Sequence, residues 1–297
     1  MKTKVGVIGA GKWGLALAFA LSEKNDVLIT SRTPRDLKNF VSLEEVLRCE
    51  YLIIAIPAQQ VASWLEKNFT FNGQKILVVA KGIEATTGRF LNDIYAKYVK
   101  NSNIAFLSGP SFAVEVQKSL PTALVINSKN EELSNELSEL FPSFIKTYTS
   151  TDVIGAEISG AYKNVIAIAA GICDGLGLGK NAAAALISRG LVEMQRFGVA
   201  YGAKEETFLG LGGAGDLFLT ASSNMSRNFR VGLGIAKGKS QEEILEELGE
   251  VAEGIGTTYA LHEISKQKDL YLPIAREVYE MLEGKSPQES LRDLLSS

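Results

Sequence analysis

Histidine and cysteine are scarce in this sequence. Its 297 residues include one histidine, His262, and two cysteines, Cys49 and Cys173. With a single histidine we expect neither a histidine-rich metal site nor histidine-based proton transfer, and we predict no metal. Because two isolated cysteines do not form a disulfide framework, we expect a protein of the reducing cytoplasm.

The sequence also lacks a basic excess and a long apolar run. Its formal net charge is −3, whereas a nucleic-acid-binding protein would carry a basic stripe. The apolar run near Val165 is interrupted by Lys163 and Asp174 and falls short of a membrane span. The start, MKTKVGVIGAG, reaches glycines too early for a signal peptide. We therefore expect no nucleic-acid partner and no membrane insertion.

Strand and helix patterns alternate in the first half of the chain. Strands are predicted at 4–8, 26–30, 51–56, 75–80, 104–107, 122–127 and 144–148, and helices at 12–24, 59–67, 88–99, 112–118 and 131–141. Such alternation is typical of a largely parallel sheet with helices on both faces. After residue 150 only helical patterns follow, at 153–173, 181–201, 216–222, 229–237, 241–248, 253–268, 274–283 and 287–295.

These patterns predict an α/β protein. Residues 1–150 would form a Rossmann-like, doubly wound, mostly parallel sheet that binds a dinucleotide. Residues 151–297 would form an all-helical C-terminal domain that binds the substrate and carries the catalytic groups. The Ser/Thr cluster at 149–152 resembles a helix start more than a linker.

The turn after the first predicted strand has the pattern G-x-G-x-x-G, with Gly9, Gly11 and Gly14. A plain glycine-rich turn is the alternative, but strand, turn, helix and second strand follow in the order of a dinucleotide fingerprint. Gly9 would allow the tight turn, Gly11 the approach of a pyrophosphate, and Gly14 the packing of helix on sheet.

The end of the second predicted strand bears on the choice of dinucleotide. NAD sites usually have an acidic residue there, but residues 30–33 read TSRT. Arg32 suits a 2′-phosphate, although it could instead stack on an adenine. We therefore predict NADP(H) as the preferred cofactor, with NAD(H) also possible.

Polar groups follow two further strands of the predicted sheet. Lys81 follows ILVVA, and Ser111 follows IAFL within the turn SGPS. Ordinary loop chemistry is one interpretation. Because ligands of such sheets gather beyond the carboxyl ends of the strands, a binding site is the one we favour.

The segment ISGAYKNVIAIAAG, at 158–171, places Lys163 in the apolar pattern of a buried helix. The positions three and four residues away hold no acid that could pair with it. Either Lys163 extends its charge to water from the helix rim, or it is buried with a lowered pKa or a partner from elsewhere in the fold. We favour the second, which is typical of a functional lysine.

Two stretches of the second half carry further candidates. Asp216 opens a helix after the run LGGAG, where it could either cap the helix or serve the site. Ser226, Arg227 and Asn228 combine a hydroxyl, a guanidinium and a carboxamide, which together can bind a phosphate ester. The alternative for this triplet is a solvent-exposed turn before a helix.

With these motifs in order, the chain resembles the NAD(P)-dependent glycerol-3-phosphate dehydrogenases of the soluble bacterial type over nearly its whole length. The resemblance rests on the glycine turn with Trp13, on Lys81-Gly82, and on the stretches SGPSFAVE, GAYKNV, GAGD and SRN. It implies reduction of dihydroxyacetone phosphate to sn-glycerol 3-phosphate, which feeds phospholipid synthesis.

The resemblance also implies roles for individual residues. Lys163 would be the general acid/base, with Lys81 and Asp216 as the other catalytic residues. The implied substrate-binding residues are Lys81, Gly109, Ser111, Asp216, Ser226, Arg227 and Asn228. The implied cofactor-binding residues are Gly9, Gly11, Lys12, Trp13, Gly14, Arg32, Lys81, Ala113, Arg227, Val251 and Glu253. A homodimer is a possible assembly.

Two positions depart from the family pattern. Lys12 stands where the family usually has a serine, and the segment after Arg32 is shorter than usual. Two other functions are compatible with parts of the sequence: a lysine-dependent dehydrogenase of hydroxy- or keto-acids, such as a ketopantoate reductase, and a non-catalytic NADP-binding sensor. The sensor would not need Lys81, Lys163 and Asp216 together.

Overall fold

The computed structural model of the chain describes residues 2–296. The chain divides into two compact units. Unit 1 extends to Ala80 and resumes over Asn92–Ala156, and unit 2 comprises Lys81–Leu91 and the chain from Glu157 onwards. The short segment Lys81–Leu91 thus leaves the sheet-containing unit and packs with the helical one.

Unit 1 is built on a seven-stranded sheet. Its strands are β1 Lys4–Ile8, β2 Asp26–Thr30, β3 Tyr51–Ile54, β4 Lys75–Val78, β5 Ile104–Ser108, β6 Thr122–Asn127 and β7 Ile145–Ser150. They are arranged in the order β2-β1-β3-β4-β5-β6-β7, and every neighbouring pair is parallel except β5 with β6. The predicted mostly parallel sheet is confirmed, with all seven predicted strands present.

The strands in the middle of the sheet are buried almost throughout. All five residues of β5 are buried, as are three of four in β3 and in β4, whereas in the edge strand β7 only Ile145 is buried. Near-continuous Val, Ile and Leu runs are what a parallel sheet with both faces covered requires. The sequence pattern and the position of each strand therefore agree.

Short helices connect the strands. Those in the first half of the chain are α1 Lys12–Leu21, α2 Leu43–Leu47, α3 Ala58–Asn68, α4 Leu91–Tyr95, α5 Ala113–Val116 and α6 Glu131–Glu139. The helix predicted at 88–99 is wrong in extent, since only α4 forms there. Gly88 has φ +66°, in the left-handed region, so an α-helix cannot begin at that residue.

Unit 2 is helical. Its helices are α7 Val153–Gly175 (which begins in unit 1), α8 Gly179–Ala200, α9 Glu205–Leu209, α10 Asp216–Ala221, α11 Arg227–Ala236, α12 Gln241–Leu248, α13 Glu253–Lys268, α14 Pro273–Leu282 and α15 Pro287–Ser296. The predicted all-helical second half is confirmed. Two elements were missed: α9 and a π-helical turn at Leu211–Gly215, both too short for a periodic pattern.

The helix α7 is the most apolar of these elements. Among residues 2–296 it is the one helix long and apolar enough to cross a membrane by length and composition. Of its apolar window, 94% is buried inside the protein, as in the core helix of a soluble protein.

The sheet changes its winding direction at β1. β1 lies between β2 and β3, so the connections to its two neighbours run to opposite sides. In open parallel sheets this switch point, at the carboxyl ends of the strands, is where dinucleotides bind. The glycine turn that follows β1 lies at this switch point.

Two of the three glycines in this turn are required by close packing. Gly9 has φ +111°, and its amide donates to the Thr30 carbonyl at 2.8 Å. A Cβ at Gly14 would lie 1.8 Å from the Gly9 carbonyl oxygen, which is backbone and cannot rotate away. A Cβ at Gly11 would meet no atom within 4 Å, so the backbone at Gly11 faces open space.

Replacing Gly14 with Ala should therefore destabilise unit 1, by about 3 kcal/mol or more, because the added methyl overlaps a fixed carbonyl. Gly11→Ala is the matched control: φ at Gly11 is −75°, which alanine adopts freely. Its free energy of unfolding should stay within about 0.5 kcal/mol of that of the unaltered protein. Chemical denaturation measures both, and equal stabilities for the two variants would contradict the packing argument.

Candidate functional site

The helix α7 carries Lys163 in the interior of unit 2. The lysine is 7% exposed, and its neighbours Ala161, Tyr162 and Val165 are fully buried. The alternative in which Lys163 reaches water from the helix rim is therefore wrong. A buried ammonium requires a partner, and the structure supplies one from another helix.

Lys163 is bound by two side chains of α10. Its Nζ donates to Asp216 Oδ1 at 2.6 Å and to Thr220 Oγ1 at 2.9 Å. The second carboxylate oxygen of Asp216, Oδ2, accepts from Lys81 Nζ at 2.8 Å. Asp216 is 1% exposed and therefore bridges two lysines with one buried carboxylate. Its side chain serves the lysines, and the helix-capping alternative does not apply.

Burial and charge act in opposite directions on these groups. Burial, aided by the charges of Lys81 and Arg227, lowers the pKa of Lys163 to about 8, because together they penalise the ammonium more than Asp216 stabilises it. For Asp216 burial favours the acid form, but the two ammonium groups outweigh it and hold the pKa of the carboxyl below its usual range. The arrangement keeps Asp216 ionised while it makes the Lys163 proton easier to release.

A π-helical turn places Asp216 at the start of α10. This turn, Leu211–Gly215, packs directly on the end of α9, and a Cβ at Gly213 would lie 2.2 Å from the Phe208 carbonyl oxygen. Only glycine fits at this distance. π-helical turns are frequent at functional sites, and the glycine run of the sequence is explained by this close contact.

Lys81 is positioned through its backbone and its methylene stem. Asn164 Nδ2 donates to the Lys81 carbonyl at 3.2 Å. The stem of Lys81 lies over Gly160, where an added Cβ would be 3.3 Å from Lys81 Cγ. Two residues of the GAYKNV motif thus hold Lys81, while Lys163 of the same motif shares its carboxylate.

The neighbouring residue Tyr162 anchors α7 to two other helices. Tyr162 Oη donates to Glu193 Oε1 of α8 at 2.8 Å, and Glu193 also accepts from the amides of Ile274 and Ala275 at the start of α14, each at 2.9 Å. Burial raises the pKa of Glu193 in spite of these donors. The network fixes the position of α7 along its axis at the residue next to Lys163.

The triplet 226–228 lies at the N-terminus of α11. Ser226 caps the helix by accepting from the Phe229 amide at 3.2 Å. Arg227 Nη1 lies 3.6 Å from Glu250 Oε2. Asn228 is buried, and its Oδ1 accepts from the Gly254 amide at 2.9 Å. The exposed-turn alternative is wrong for Ser226 and Asn228, which are 4% and 7% exposed.

The start of α11 packs against α7 through backbone contacts. A Cβ at Gly171 would lie 2.0 Å from the Phe229 carbonyl oxygen, and one at Gly232 would lie 2.0 Å from the Ile168 carbonyl oxygen. The two helices therefore meet backbone to backbone, as small residues allow. Val251 and Glu253, which were also predicted to bind the cofactor, lie just before and at the start of α13, beside the residues that contact Arg227 and Asn228.

The remaining predicted residues lie in unit 1. Gly9, Gly11, Lys12, Trp13 and Gly14 form the turn and first helical turn after β1. Arg32 is exposed two residues after β2, and the chain then runs irregularly to the capping box of α2 at Ser42 and Glu45.

Gly109, Ser111 and Ala113 lie between β5 and α5. Gly109 has φ +109°, and a Cβ there would lie 3.0 Å from the Ala123 carbonyl oxygen. Ser111 Oγ donates to the Gly109 carbonyl at 3.3 Å, which closes the turn. Gly109 is thus required by the fold of unit 1 itself.

Three residues of the site in unit 2 were missed by the sequence analysis: Thr220, Asn164 and Glu250. Thr220 could have been found, since it lies four residues after Asp216 and therefore on the same helix face. Asn164 follows Lys163 directly, but its bond to a backbone carbonyl has no sequence signature. Glu250 belongs to a charged helix end that resembles any solvated surface.

Residues 2–296 contain no group of three or more histidine, cysteine, aspartate or glutamate side chains that could hold a metal ion.

Family models match both halves of the chain. The N-terminal model of the NAD-dependent glycerol-3-phosphate dehydrogenases matches residues 24–134, and the C-terminal model of the same family matches residues 152–292. The chain belongs to this family.

Individual proteins of the family are similar over the full length. The chain is 78% identical to a glycerol-3-phosphate dehydrogenase (NAD(P)+) of Sulfurimonas denitrificans, covering 99% of this chain and 100% of the relative. It is 60% identical to the protein of the same name from Nitratiruptor sp., covering 98% of each. The crystal structure of a glycerol-3-phosphate dehydrogenase from Coxiella burnetii superimposes with a TM-score of 0.91 at 33% identity, covering 100% and 99%.

Replacing Asp216 with Asn should destabilise unit 2 by about 3 kcal/mol at neutral pH, because it leaves two ammonium groups without their buried counter-charge. Asp174→Asn is the matched control: Asp174 pairs with Lys180 at 3.5 Å on the surface, and its loss should cost no more than about 0.5 kcal/mol. Urea denaturation of both variants gives the comparison. Equal stability of Asp216→Asn and the unaltered protein would rule out the bridging carboxylate as a structural requirement.

Proposed function

We propose that the chain catalyses the reversible, NAD(P)H-dependent reduction of dihydroxyacetone phosphate to sn-glycerol 3-phosphate, which supplies glycerol phosphate for phospholipid synthesis. The observation that carries this proposal is the buried Lys163, bonded to Asp216 and Thr220 in a chain of this dehydrogenase family. An ammonium with a lowered pKa, away from bulk water, is suited to give a proton to a ketone oxygen.

In this proposal residues 1–150 bind the dinucleotide and residues 151–297 bind the substrate. The glycine turn after β1 fits a pyrophosphate, since the backbone at Gly11 faces open space at the N-terminus of α1. A bound nicotinamide would supply the hydride. Lys12, Trp13, Ala113, Val251 and Glu253 are the further cofactor contacts that we propose on the family resemblance.

Lys163 would act as the general acid of the reduction. Its Nζ would donate to the carbonyl oxygen of the substrate and stabilise the negative charge that develops there. Asp216 would keep the ammonium oriented, and Lys81, on the other oxygen of the same carboxylate, would assist at the substrate. In the reverse direction neutral Lys163 would accept the proton of the alcohol.

The substrate phosphate would bind at the N-terminus of α11. Arg227 can donate two parallel hydrogen bonds to a phosphate, and the helix start adds a favourable dipole. The side-chain oxygens of Ser226 and Asn228 already accept hydrogen bonds from backbone amides. These residues would therefore bind the phosphate through their donors, the Ser226 hydroxyl hydrogen and Asn228 Nδ2. Gly109 and Ser111 complete the proposed set of substrate contacts.

The proposal includes a preference for NADP(H) and a cytoplasmic location. No acidic residue ends β2, and Arg32 is exposed shortly after it, where it can meet a 2′-phosphate. We also propose a homodimer, since Val192, Phe218 and Met225 of unit 2 are apolar and between 44% and 50% exposed. Sedimentation at micromolar concentration would show twice the mass of 32.0 kDa if a second copy covers them.

The purified protein should oxidise NADPH with dihydroxyacetone phosphate, and Lys163→Met should lower kcat about 10²-fold or more. The variant should fold, because Asp216 keeps Lys81 as a partner and methionine resembles the lysine stem in volume. The same assay with NADH gives the cofactor preference. Turnover of ketopantoate in place of the phosphorylated ketone would overturn the substrate, and near-normal turnover by Lys163→Met would remove the lysine from the chemistry.

The two directions of the reaction should depend oppositely on pH. Because Lys163 has a pKa of about 8, it is protonated below that pH and neutral above it. Reduction needs the ammonium, so kcat/KM should be level below pH 8 and fall about tenfold per pH unit above it. Oxidation needs the neutral amine and should rise to a plateau above pH 8. Initial rates in both directions test this, and the residual activity of Lys163→Met should show no inflection near pH 8.

A further inference from the structure

Arg227 has a carboxylate partner that belongs to no proposed substrate or cofactor contact. Its Nη1 lies 3.6 Å from Glu250 Oε2, with the arginine side chain 41% exposed and the glutamate 23% exposed. The guanidinium therefore presents part of its donors to solvent while the carboxylate lies against the protein. A ligand anion that approaches Arg227 from solvent must contend with Glu250.

The backbone holds Glu250 in reach of Arg227. The connection between α12 and α13 begins at Gly249, which has φ +60° and ends α12 in the left-handed conformation. It ends at the first turn of α13, where the Gly254 amide donates to Asn228 Oδ1 at 2.9 Å. Two successive residues of α11, Arg227 and Asn228, thus contact the two ends of this connection.

The charges of unit 2 leave Glu250 as the anion for Arg227. The buried carboxylate of the lysine cluster, Asp216, is occupied by Lys81 and Lys163 on its two oxygens, and the ion pair of Arg227 is with Glu250. The Arg227 charge is one of the causes that lower the pKa of Lys163, so the guanidinium lies within electrostatic reach of the lysine pair. An anion bound at Arg227 therefore also changes the electrostatic potential at Lys163.

We propose that Glu250 is a specificity-determining residue: its carboxylate occupies Arg227 until the dianionic phosphate of a ligand displaces it. The inference rests on the proposed function, in which Arg227 binds a phosphate. A phosphate dianion carries more charge than Glu250 and can bind the guanidinium through two parallel hydrogen bonds. A carboxylate ligand carries only the same charge as Glu250, and an uncharged ketone has no charge with which to displace it. Glu250 therefore selects for phosphorylated ligands.

The test is the variant Glu250→Gln, which keeps the shape of the side chain and removes the competing charge. Its KM for dihydroxyacetone phosphate should be about two- to fivefold lower, a modest change because the pair is partly exposed and screened by solvent. For unphosphorylated dihydroxyacetone, kcat/KM should not change, since that ketone has no phosphate to compete with Glu250.

The KM values of Glu250→Gln for NADPH and for NADH identify the phosphate that Arg227 binds. A KM lowered for dihydroxyacetone phosphate, or for NADPH alone, assigns the displacing group to the substrate phosphate or to the 2′-phosphate, both dianions, and supports the displacement of Glu250. A KM lowered equally for NADPH and NADH would assign it to the pyrophosphate, whose phosphates each carry one charge, and would overturn the selection for a dianion. The inference is overturned if Glu250→Gln leaves the KM of all three phosphorylated ligands unchanged or raises it.

Two controls separate this inference from the proposed function. Glu247→Gln removes an equal charge three residues earlier, at the end of α12, where Glu247 pairs with Lys239, and should leave every KM unchanged. Arg227→Ala should raise KM for the phosphorylated ligand, and adding Glu250→Gln to it should then have no effect. If Arg227→Ala changes neither kcat nor KM, the proposed phosphate site fails. If it raises KM but Glu250→Gln has no effect, only the role of Glu250 fails.

Discussion

The contact between Lys163 and Asp216 is the interaction on which the rest of unit 2 depends. A lysine that is 7% exposed is tolerated because a carboxylate meets it at 2.6 Å, and that carboxylate is held in turn by Lys81. Each of the three groups comes from a different segment: α7, α10 and the excursion Lys81–Leu91. The segment Lys81–Leu91 packs with the helical unit, and there Lys81 balances the charge of the Asp216 carboxylate together with Lys163. Burial of the cluster then sets the proton affinity of Lys163.

Hydrogen bonds and close backbone contacts fix the positions of the helices around this cluster. Tyr162 and Glu193 fix α7 beside the lysine, the glycines of the π-helical turn bring Asp216 close to α9, and Ser226 and Asn228 bind α11 to itself and to α13. Several residues that the family resemblance assigns to ligand binding thus also serve the fold. For Ser226 and Asn228 one side-chain oxygen is taken by the protein, which leaves only their donors for an anion. That is the polarity a phosphate requires.

The sequence predicted the sheet, its mostly parallel pairing and the helical second half, because the apolar runs and helical periods are strong local signals. It also identified Lys163 and Asp216 as candidate catalytic residues. It could not show that Lys81 packs with the helical unit, since that depends on how 81–91 folds against Gly160 and Asn164. The helix expected at 88–99 shows the same limit: the left-handed conformation of Gly88 is set by its surroundings and not by its neighbours in sequence.

The backbone contact of α7 with α11 has a consequence for how this unit can change in evolution. At Gly171 and Gly232 the two helices meet without intervening side chains, so a larger residue at either position would force them apart. The lysine on one helix and the anion-binding triplet on the other therefore keep a constant separation. Arg227 and Glu250, which are partly exposed, can be exchanged to accept a different anionic group, while the proton donor keeps its distance from whatever is bound. The contact of α7 with α11 therefore sets the distance between the residues that bind the anion and the lysine that donates the proton. Substitutions that change anion binding need not disable proton transfer.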